Sequence, residues 1–420
     1  MKGTPACVAL LLVIGALALP ARANPTDWTL DAERWQRQGY DQPDAALAEL
    51  DRALIQGAPP PAALRLLQRT RGLVAARAGR DDITHQALAA LGELALAGQS
   101  LASADSELVR AEQAEHRGHS QQAQVHARAA SEAYERQCGG ALHAEPPSAA
   151  CDHRPVWLAR HLLARRASED GDARAAREQA EGLLALAQRA NDIGLVAWSQ
   201  ARLAAAHAAE GQVLPARRLM AQAEASLRNA GEPFVRARVA LVAVVVASML
   251  DAQAALQRAA RGAREHPREA ASPRLEALAL ANLSDVWVRR GRPAEALAAV
   301  REALPTVRAH DDRRVERVLL HNGALALIGL GRVAEARAQA ERLLELWAAE
   351  GTQGEQARAL REVADALADA GHAGAALDLY HRERALTDKL AAAQREAAER
   401  TLRARYDRDR DRRRIELLAR

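Results

Sequence analysis

NLSDVWVRRGRPAEALAAVREAL, residues 282–304, carries the pattern that decides the fold. Within it, the small residues Ser284 and Ala296 stand seven residues before and five residues after Gly291. Two antiparallel helices joined by a tight turn approach closely near that turn, so each helix needs a small side chain there. Glycine supplies the positive φ that ends the first helix. The stretch therefore predicts a helix, a turn at Gly291 and a second helix packed against the first.

The same pattern recurs along the chain with a period of about forty residues. The glycines that mark it are Gly39, Gly79, Gly118, Gly171, Gly211, Gly291, Gly331 and Gly371. Their separations are 40, 39, 53, 40, 80, 40 and 40 residues, and Asp251 lies at the midpoint of the double step. The spacing predicts nine units, with Asp251 as the turn residue of one unit and an insertion of about thirteen residues in another.

Small residues flank most of these turns. The position seven residues before the turn holds Ala32, Gly72, Ala111, Ala164, Ala204, Ser284, Ala324 or Ala364, with Val244 as the exception. The position five residues after it is alanine in six units: Ala123, Ala176, Ala216, Ala296, Ala336 and Ala376. Larger residues such as Leu343 fill the wider positions.

At the level of helix pairs, residues 27–390 resemble the tetratricopeptide repeat (TPR). The residues that carry the resemblance are Asn282–Leu283–Ser284, Trp287, Gly291–Arg292, Glu295–Ala296–Leu297 and Ala303–Leu304. The period is forty rather than about 34 residues, so the helices or their linkers are longer, and the closing Pro of the family is absent. The resemblance implies an all-α, right-handed TPR-like helix-pair solenoid of about nine 40-residue units. An irregular α bundle is the alternative.

The composition agrees with an all-α fold. Apolar residues make up 49% of the chain, mostly as Ala, Leu and Val, and aromatic residues only 3%. Such small apolar side chains allow close helix packing, whereas strands favour branched and aromatic residues. The most apolar run, Val239 to Leu250, would span only about 18 Å as a helix, so it is interpreted as a buried solenoid helix.

Residues 1–23 have the pattern of a secretory signal peptide. Lys2 provides the charged start, Cys7 to Leu19 the apolar region, and Ala21–Arg22–Ala23 the cleavage site. An uncleaved anchor is the alternative, and a lipoprotein is disfavoured because a lipidated Cys follows the apolar region rather than beginning it. The pattern predicts a periplasmic protein with a mature solenoid at residues 24–390, a connector at 391–420 and no membrane span.

The formal charge of +4 comes from the ends of the chain. The signal peptide carries +2, and residues 400–420 hold nine Arg against four acids, which leaves −3 for residues 24–399. A near-neutral body with few aromatic residues argues against nucleic acid as a partner.

The insertion contains CGGALHAEPPSAACDH, residues 138–153. A disulfide between Cys138 and Cys151 would close a fourteen-residue loop, which suits an exported chain with two cysteines. The alternatives are a zinc site formed by these cysteines with His143 and His153, two free thiols, or an intermolecular link. The ligand spacing is unlike that of common zinc sites, so the disulfide is favoured and neither metal nor cofactor is predicted.

No nucleophile elbow, P-loop, dinucleotide motif or HExxH is found, so the sequence predicts a protein that is not an enzyme. A solenoid instead offers a concave wall built from the first helix of each pair. By resemblance to TPR proteins, inward positions fall thirteen, ten, six and two residues before each glycine of the period. The candidate groove residues are His161, Arg165, Trp198, Asp285, Arg289, His321, Arg361 and Asp365. Solvated or packed helix positions are the alternative interpretation.

From about Ala375 to the end there is neither Pro nor Gly, which predicts one long C-terminal helix. A capping helix held by i,i+4 charge pairs is one interpretation of it. Its residues Arg405–Tyr406–Asp407 and Arg412–Arg413–Arg414–Ile415–Glu416–Leu417–Leu418 resemble the connector that links TPR sensor regions to GGDEF diguanylate cyclases or histidine kinases.

Two functions follow from the sequence. The first is an exported, non-enzymatic TPR scaffold that binds a protein or peptide partner. The alternative is a sensory input module whose transmembrane and catalytic parts are absent from this chain.

Overall fold

The computed structural model describes residues 28–57, 59–143, 151–228, 232–350 and 353–418. The predicted signal peptide at residues 1–23 lies outside these ranges, as do residues 144–150 of the insertion. The described residues form eighteen α-helices and one 3₁₀ helix, Gly139–Leu142, with no strand among them. The predicted all-α class is confirmed.

The α-helices form nine antiparallel pairs. The first helices are α1 Trp28–Asp41, α3 Pro61–Arg77, α5 Ala102–His116, α7 His153–Glu169, α9 Ile193–Ala209, α11 Pro233–Met249, α13 Pro273–Arg289, α15 Arg313–Gly329 and α17 Gln353–Asp369. The second helices are α2 Pro43–Gln56, α4 Asp81–Leu96, α6 Ser120–Cys138, α8 Ala173–Arg189, α10 Val213–Leu227, α12 Gln253–Glu269, α14 Pro293–Ala309, α16 Val333–Glu350 and α18 Ala373–Leu418. The predicted helix-pair solenoid and its long C-terminal helix are confirmed.

The forty-residue period follows from the helix lengths. In the unit that contains residues 282–304, α13 and α14 are 17 residues each. Connections of three residues, 290–292 and 310–312, complete the repeat. Because the connections are this short, the residues beyond the usual TPR length lie in the helices.

The predicted turn geometry is present at seven of the eight marker glycines. Gly291, for example, has a φ of 63°, and the Arg292 backbone N–H donates to the Trp287 carbonyl at 2.8 Å, which closes the helix end. Asp251 has a φ of 48°, so it takes the glycine conformation as expected. Gly39 differs from the prediction because it lies inside α1. A Cβ there would come within 2.6 Å of a Val74 methyl carbon, so close packing explains this glycine.

The small residues beside the turns are buried where the two helices of a pair approach. Ala204, Ser284 and Ala324 are fully buried before their turns, and Ala216 and Ala296 are fully buried after them. Val244 is also fully buried, in α11, so the apolar run of this helix belongs to the solenoid core. No helix in the described part of the chain is long and apolar enough to cross a membrane.

The solenoid turns back on itself, so that α1 meets α13. The Arg274 backbone N–H donates to the Asp41 carboxylate at 3.0 Å, and the Arg274 side chain donates to the carbonyls of Tyr40 and Arg77 at 3.5 and 3.4 Å. Arg274 also pairs with Asp312 at 2.9 Å. These contacts join α1, α3, α13 and the start of α15, and they enclose the space inside the superhelix.

Candidate functional site

The inner side of the superhelix holds a cavity of about 490 Å³. The cavity is partly open to solvent, because Arg37 and Glu232 of its wall are exposed. Each first helix from α1 to α15 contributes to its wall. The volume lies in the range of ligand-binding pockets, roughly 300–1,000 Å³. Because eight helices that are far apart in sequence converge here, the cavity depends on the closure of the superhelix.

Aromatic rings line one part of the cavity. The His161 ring stacks on Trp157 with the ring centres 5.0 Å apart, and Trp198 lies 4.7 Å from both rings. The Trp157 indole N–H donates to the Ser199 hydroxyl at 2.9 Å, which fixes this nearly buried ring. The rings provide a rigid apolar surface of the kind that anchors ligands.

Three aspartates of the cavity wall are helix N-caps. Asp152, Asp192 and Asp312 begin α7, α9 and α15, and each carboxylate accepts a backbone N–H of the first helical turn at 3.0–3.2 Å. Aspartate is a favoured N-cap because it satisfies a free backbone N–H. Burial alone would raise the pKa of Asp152, but Arg69 and the Arg154 backbone N–H keep it below the usual value. The local rules of helix initiation therefore place ionised carboxylates at the cavity.

Arginines and carboxylates alternate over the rest of the wall. Eight arginines line the cavity, and seven of them lie within 4 Å of a carboxylate. The pairs are Arg37 with Glu232 at 3.3 Å, Arg69 with Asp152 at 2.8 Å, Arg77 with Glu112 at 2.6 Å, Arg154 with Asp192 at 3.2 Å, Arg165 with Glu115 at 2.6 Å, Arg274 with Asp312 at 2.9 Å and Arg314 with Glu169 at 3.4 Å.

The eighth arginine, Arg238 on α11, is surrounded by aromatic rings instead. Its guanidinium carbon lies 4.7 Å from the ring centre of Tyr40, 4.9 Å from that of Trp198 and 5.2 Å from that of Phe234. Among the residues that the structure describes, no carboxylate pairs with it, and its buried Nε has no hydrogen-bond partner. Burial lowers the pKa of Arg238, with Arg77 and Arg274 adding to the effect.

Within the ranges that the structure describes, His161 also has a polar atom without a hydrogen-bond partner, as do Arg69, Arg165 and Arg274 of the wall. The side chain is 7% exposed, and its buried Nδ1 has no hydrogen-bond partner in the described part of the chain. Burial, reinforced by Arg202 and Arg165, lowers the pKa of His161 well below its usual value. The imidazole is therefore neutral at pH 7, with one nitrogen as a donor and the other as an acceptor.

The structure brings three of the eight predicted groove residues, His161, Arg165 and Trp198, together in this cavity. The other five lie outside it, on α13, α15 and α17, where they contact neighbours in the solenoid. Asp285 pairs with Arg289, and His321 lies 2.8 Å from a Glu362 carboxylate oxygen. The Tyr380 hydroxyl donates to Asp365 at 2.6 Å, and the Arg361 guanidinium carbon lies 5.5 Å from the Tyr380 ring centre. A groove role for these five residues stays a prediction.

Sequence reasoning missed Arg238, Tyr40 and Trp157. A signal for Arg238 was present, because it stands thirteen residues before Asp251, the same offset that separates Trp198 from Gly211. Tyr40 could not be found by the offset rule, because it follows Gly39 and reaches the cavity only through the contact between α1 and α13.

The two cysteines are joined in a disulfide between the C-terminal end of α6 and the residues before α7. The Cα atoms of Cys138 and Cys151 are 5.8 Å apart, and both residues are buried. His153, a ligand in the zinc alternative, lies 3.3 Å from an Asp192 carboxylate oxygen instead. Over the described ranges, no cluster of His, Cys, Asp and Glu could hold a metal ion.

The fold and site define a TPR-like helix-pair solenoid with a charged and aromatic inner cavity. No protein-family model matches the chain, and no curated protein matches it. Among solved structures, the chain is similar to a Rap protein complexed with competence and sporulation factor. The identity is 13% and the TM-score 0.58, over 87% of this chain and 98% of the Rap chain. It also matches the apo form of RapI, with 12% identity, a TM-score of 0.48 and the same coverage of both chains. The first of these matches supports the helical solenoid fold.

Proposed function

We propose that this protein is a non-enzymatic receptor that binds a short peptide, free or as a segment of a partner protein, in the inner cavity. The observation that carries the proposal is the cavity of about 490 Å³, whose wall combines Trp157 and Trp198 with paired charges. Arg and Trp are enriched among the residues that dominate binding energy at interfaces. A peptide supplies both the apolar side chains and the backbone polar groups that such a wall accommodates.

The lowered pKa values of three cavity carboxylates favour binding over catalysis, whereas burial raises the pKa of a fourth, Glu33. A general acid or base works best when its pKa lies near the operating pH. Burial would raise the pKa of Glu112, but Arg77 keeps it below the usual value. The pKa values of Asp152 and Asp192 are also below the usual value. Burial lowers the pKa of His161 well below its usual value, which makes the imidazole a weaker base. These groups are suited to fixed electrostatic recognition rather than to proton transfer.

The similar solved structure adds independent support for a binding role. A Rap protein with a TM-score of 0.58 to this chain was crystallised as a complex with competence and sporulation factor. A solenoid of this architecture therefore accommodates a specific binding partner.

A defined pool of short peptides tests the proposal. The mature chain, residues 24–420, is equilibrated with the pool, bound peptides are identified by mass spectrometry after gel filtration, and affinities are measured by fluorescence titration. The Trp198→Ala variant should bind the selected peptides at least tenfold more weakly. Trp28→Ala is the control, because Trp28 lies outside the cavity and packs near Gly57. A pool without binders, or equal affinity for both variants and the parent, contradicts the proposal.

We further propose export to the periplasm. The proposal rests on the signal-peptide pattern at residues 1–23 and on the Cys138–Cys151 disulfide, which suits an oxidising compartment. Expression in a Gram-negative host, followed by fractionation and mass measurement, tests it. A mature N-terminus at Asn24 in the periplasmic fraction is expected, and an intact N-terminus in the cytosol contradicts export.

The second candidate function, a sensory input module, is favoured by one feature of α18. This helix has 46 residues, about 69 Å, and side chains described in its second half, including Leu402 and Tyr406, are exposed. Such a helix could transmit a change in the solenoid. Spin labels at Arg337 and Leu402 test this idea: peptides from the pool should shift the distance distribution between them. An unchanged distribution at saturating peptide contradicts the sensory role and leaves the binding role standing.

A further inference from the structure

The Arg238 site differs from every other charged position in the cavity. A buried charge without a partner is costly, and proteins normally pair it with an opposite charge. Each of the other seven arginines of the wall has a carboxylate within 4 Å, whereas Arg238 has aromatic rings on several sides. Cation–π contacts hold a guanidinium in place without using all of its N–H donors. Arg238 is therefore fixed in position while it still lacks an anion.

We propose that Arg238 binds a carboxylate of the peptide ligand, an inference that rests on the proposed peptide-binding function. The planar guanidinium donates parallel hydrogen bonds that match the two oxygens of a carboxylate. The apolar part of the ligand next to that carboxylate then lies against Trp198 and Phe234, the rings that already surround Arg238.

Within the described part of the wall, Arg238 is the one arginine without a carboxylate within 4 Å. The closest carboxylate to six of the other seven arginines also lines the cavity, and the closest to Arg314 is that of Glu169. His161 adds no charge at neutral pH, since burial lowers its pKa. One carboxylate on the ligand would give Arg238 the kind of partner that the other seven arginines have.

His161 is placed to assist the same group. Its ring and the Arg238 guanidinium both pack on Trp198, at 4.7 and 4.9 Å from the ring centre. Its Nδ1 is buried and without a partner among the described residues. A polar ligand group beside Trp198 would therefore satisfy both the histidine and the arginine.

Three pools of short peptides distinguish the possible sources of the carboxylate. The first pool contains peptides with free C-termini and without Asp or Glu. The second contains amidated peptides with one Asp or Glu, placed at each position in turn. The third is the control pool, which is amidated and lacks acids. The mature chain should select peptides from the first or the second pool at least tenfold over the third. The preferred pool identifies a C-terminal or a side-chain carboxylate.

Variants of Arg238 connect the selection to the site. Arg238→Gln should weaken binding of the selected peptide ten- to a hundredfold and leave its amidated or amide-substituted analogue unchanged. Arg238→Lys retains the charge but not the planar fork, so an intermediate loss is expected. Arg264→Gln on α12 is the control, because Arg264 pairs with Glu302 outside the cavity. The unliganded Arg238→Gln variant should not melt at a lower temperature than the parent, since no carboxylate loses its partner.

The outcomes separate this inference from the proposed function. Peptides that bind with no preference for a carboxylate, and equally well to Arg238→Gln, overturn the carboxylate site but retain the peptide receptor. No binding from any pool overturns both. A carboxylate preference that survives in Arg238→Gln places the anion elsewhere in the cavity and also overturns the assignment.

Discussion

Replacement of Arg274 by methionine should weaken the contact of α13 with α1 and α3, through which the superhelix closes. Arg274 is 8% exposed, and it is the residue through which α13 contacts Tyr40, Arg77 and Asp312. Methionine is apolar and about as long as the aliphatic part of arginine, so Arg274→Met keeps the packing but leaves the Asp312 carboxylate without its closest cation. Removal of one partner from a buried pair typically costs about 3–5 kcal/mol. The two carbonyl contacts are long, at 3.4 and 3.5 Å, so their loss adds little.

The assay is urea unfolding followed by circular dichroism, together with hydrogen exchange of α1. We expect Arg274→Met to lower the free energy of unfolding by about 3 kcal/mol and to speed exchange in α1 first. The control, Arg264→Met, removes an exposed pair and should cost less than about 1 kcal/mol. In the double variant Arg274→Met/Asp312→Asn, most of the loss should be recovered. Asparagine removes the unpaired charge and remains a good N-cap for α15.

The pH dependence provides a second test of the same pair. Burial would raise the pKa of Asp312, but Arg274 and Arg314 hold it well below the usual value. In the parent, this carboxylate therefore contributes stability above the unfolded pKa that is lost as the pH falls through the folded pKa. In Arg274→Met the folded pKa rises, so the deficit relative to the parent should shrink as the pH is lowered toward 4. A cost below about 1 kcal/mol, or no recovery with Asp312→Asn, would refute the reasoning.

Three further predictions concern the insertion, the cavity histidine and the turns. Reduction of the Cys138–Cys151 disulfide, or its replacement by two serines, should lower the free energy of unfolding by about 3 kcal/mol, measured by urea unfolding with and without reductant. The lowered pKa of His161 means that the unfolded state binds its proton first, so stability should fall by up to about 1.4 kcal/mol between about pH 7.5 and 5.5. His161→Gln should remove this part of the pH dependence. Ala271 has a φ of 50°, so Ala271→Gly should stabilise the protein by about 0.5–1 kcal/mol, measured as a raised urea midpoint.

Each of these predictions has a contrary outcome that the same measurement detects. Two alkylatable thiols in the unreduced mature protein would contradict the disulfide. An unchanged pH profile in His161→Gln would show that the histidine titrates normally. Gly291→Ala is the reverse control for Ala271→Gly. Gly291 has a φ of 63°, so alanine at this position should lower the free energy of unfolding by about 1 kcal/mol. If both turn variants change stability in the same direction, turn conformation is not the cause.

The sequence predicted the repeat because the repeat is local. Helix, turn and close packing within one unit depend on residues within about forty positions, and Ser284, Gly291 and Ala296 carry that information directly. The same local rules also explain the one exception among the marker glycines. Gly39 fits the period, but its physical role is contact with Val74 of the next pair rather than a turn. A glycine alone does not distinguish these two roles.

The cavity was predicted only where it follows the period. His161, Arg165 and Trp198 were found by their offsets from Gly171 and Gly211, and Arg238 has the corresponding offset from Asp251. The rule selected Arg289 and Arg361 equally well, although they lie outside the cavity. An offset gives the face of a helix, but it does not say which units lie within the closed part of the superhelix.

The contact between α1 and α13 and the surroundings of Arg238 share one residue, Tyr40, whose role the repeat period does not predict. The Tyr40 carbonyl accepts a hydrogen bond from Arg274, and its ring lies 4.7 Å from the Arg238 guanidinium carbon and 5.4 Å from the Phe234 ring centre. Tyr40 therefore contacts Arg274 where the superhelix closes and also packs against Arg238 in the cavity. Because Arg274 follows it by 234 positions, their meeting depends on the summed rotation of the intervening pairs. Small rotations at each pair add up along a solenoid, so the inner cavity is a property of the whole array rather than of any one unit.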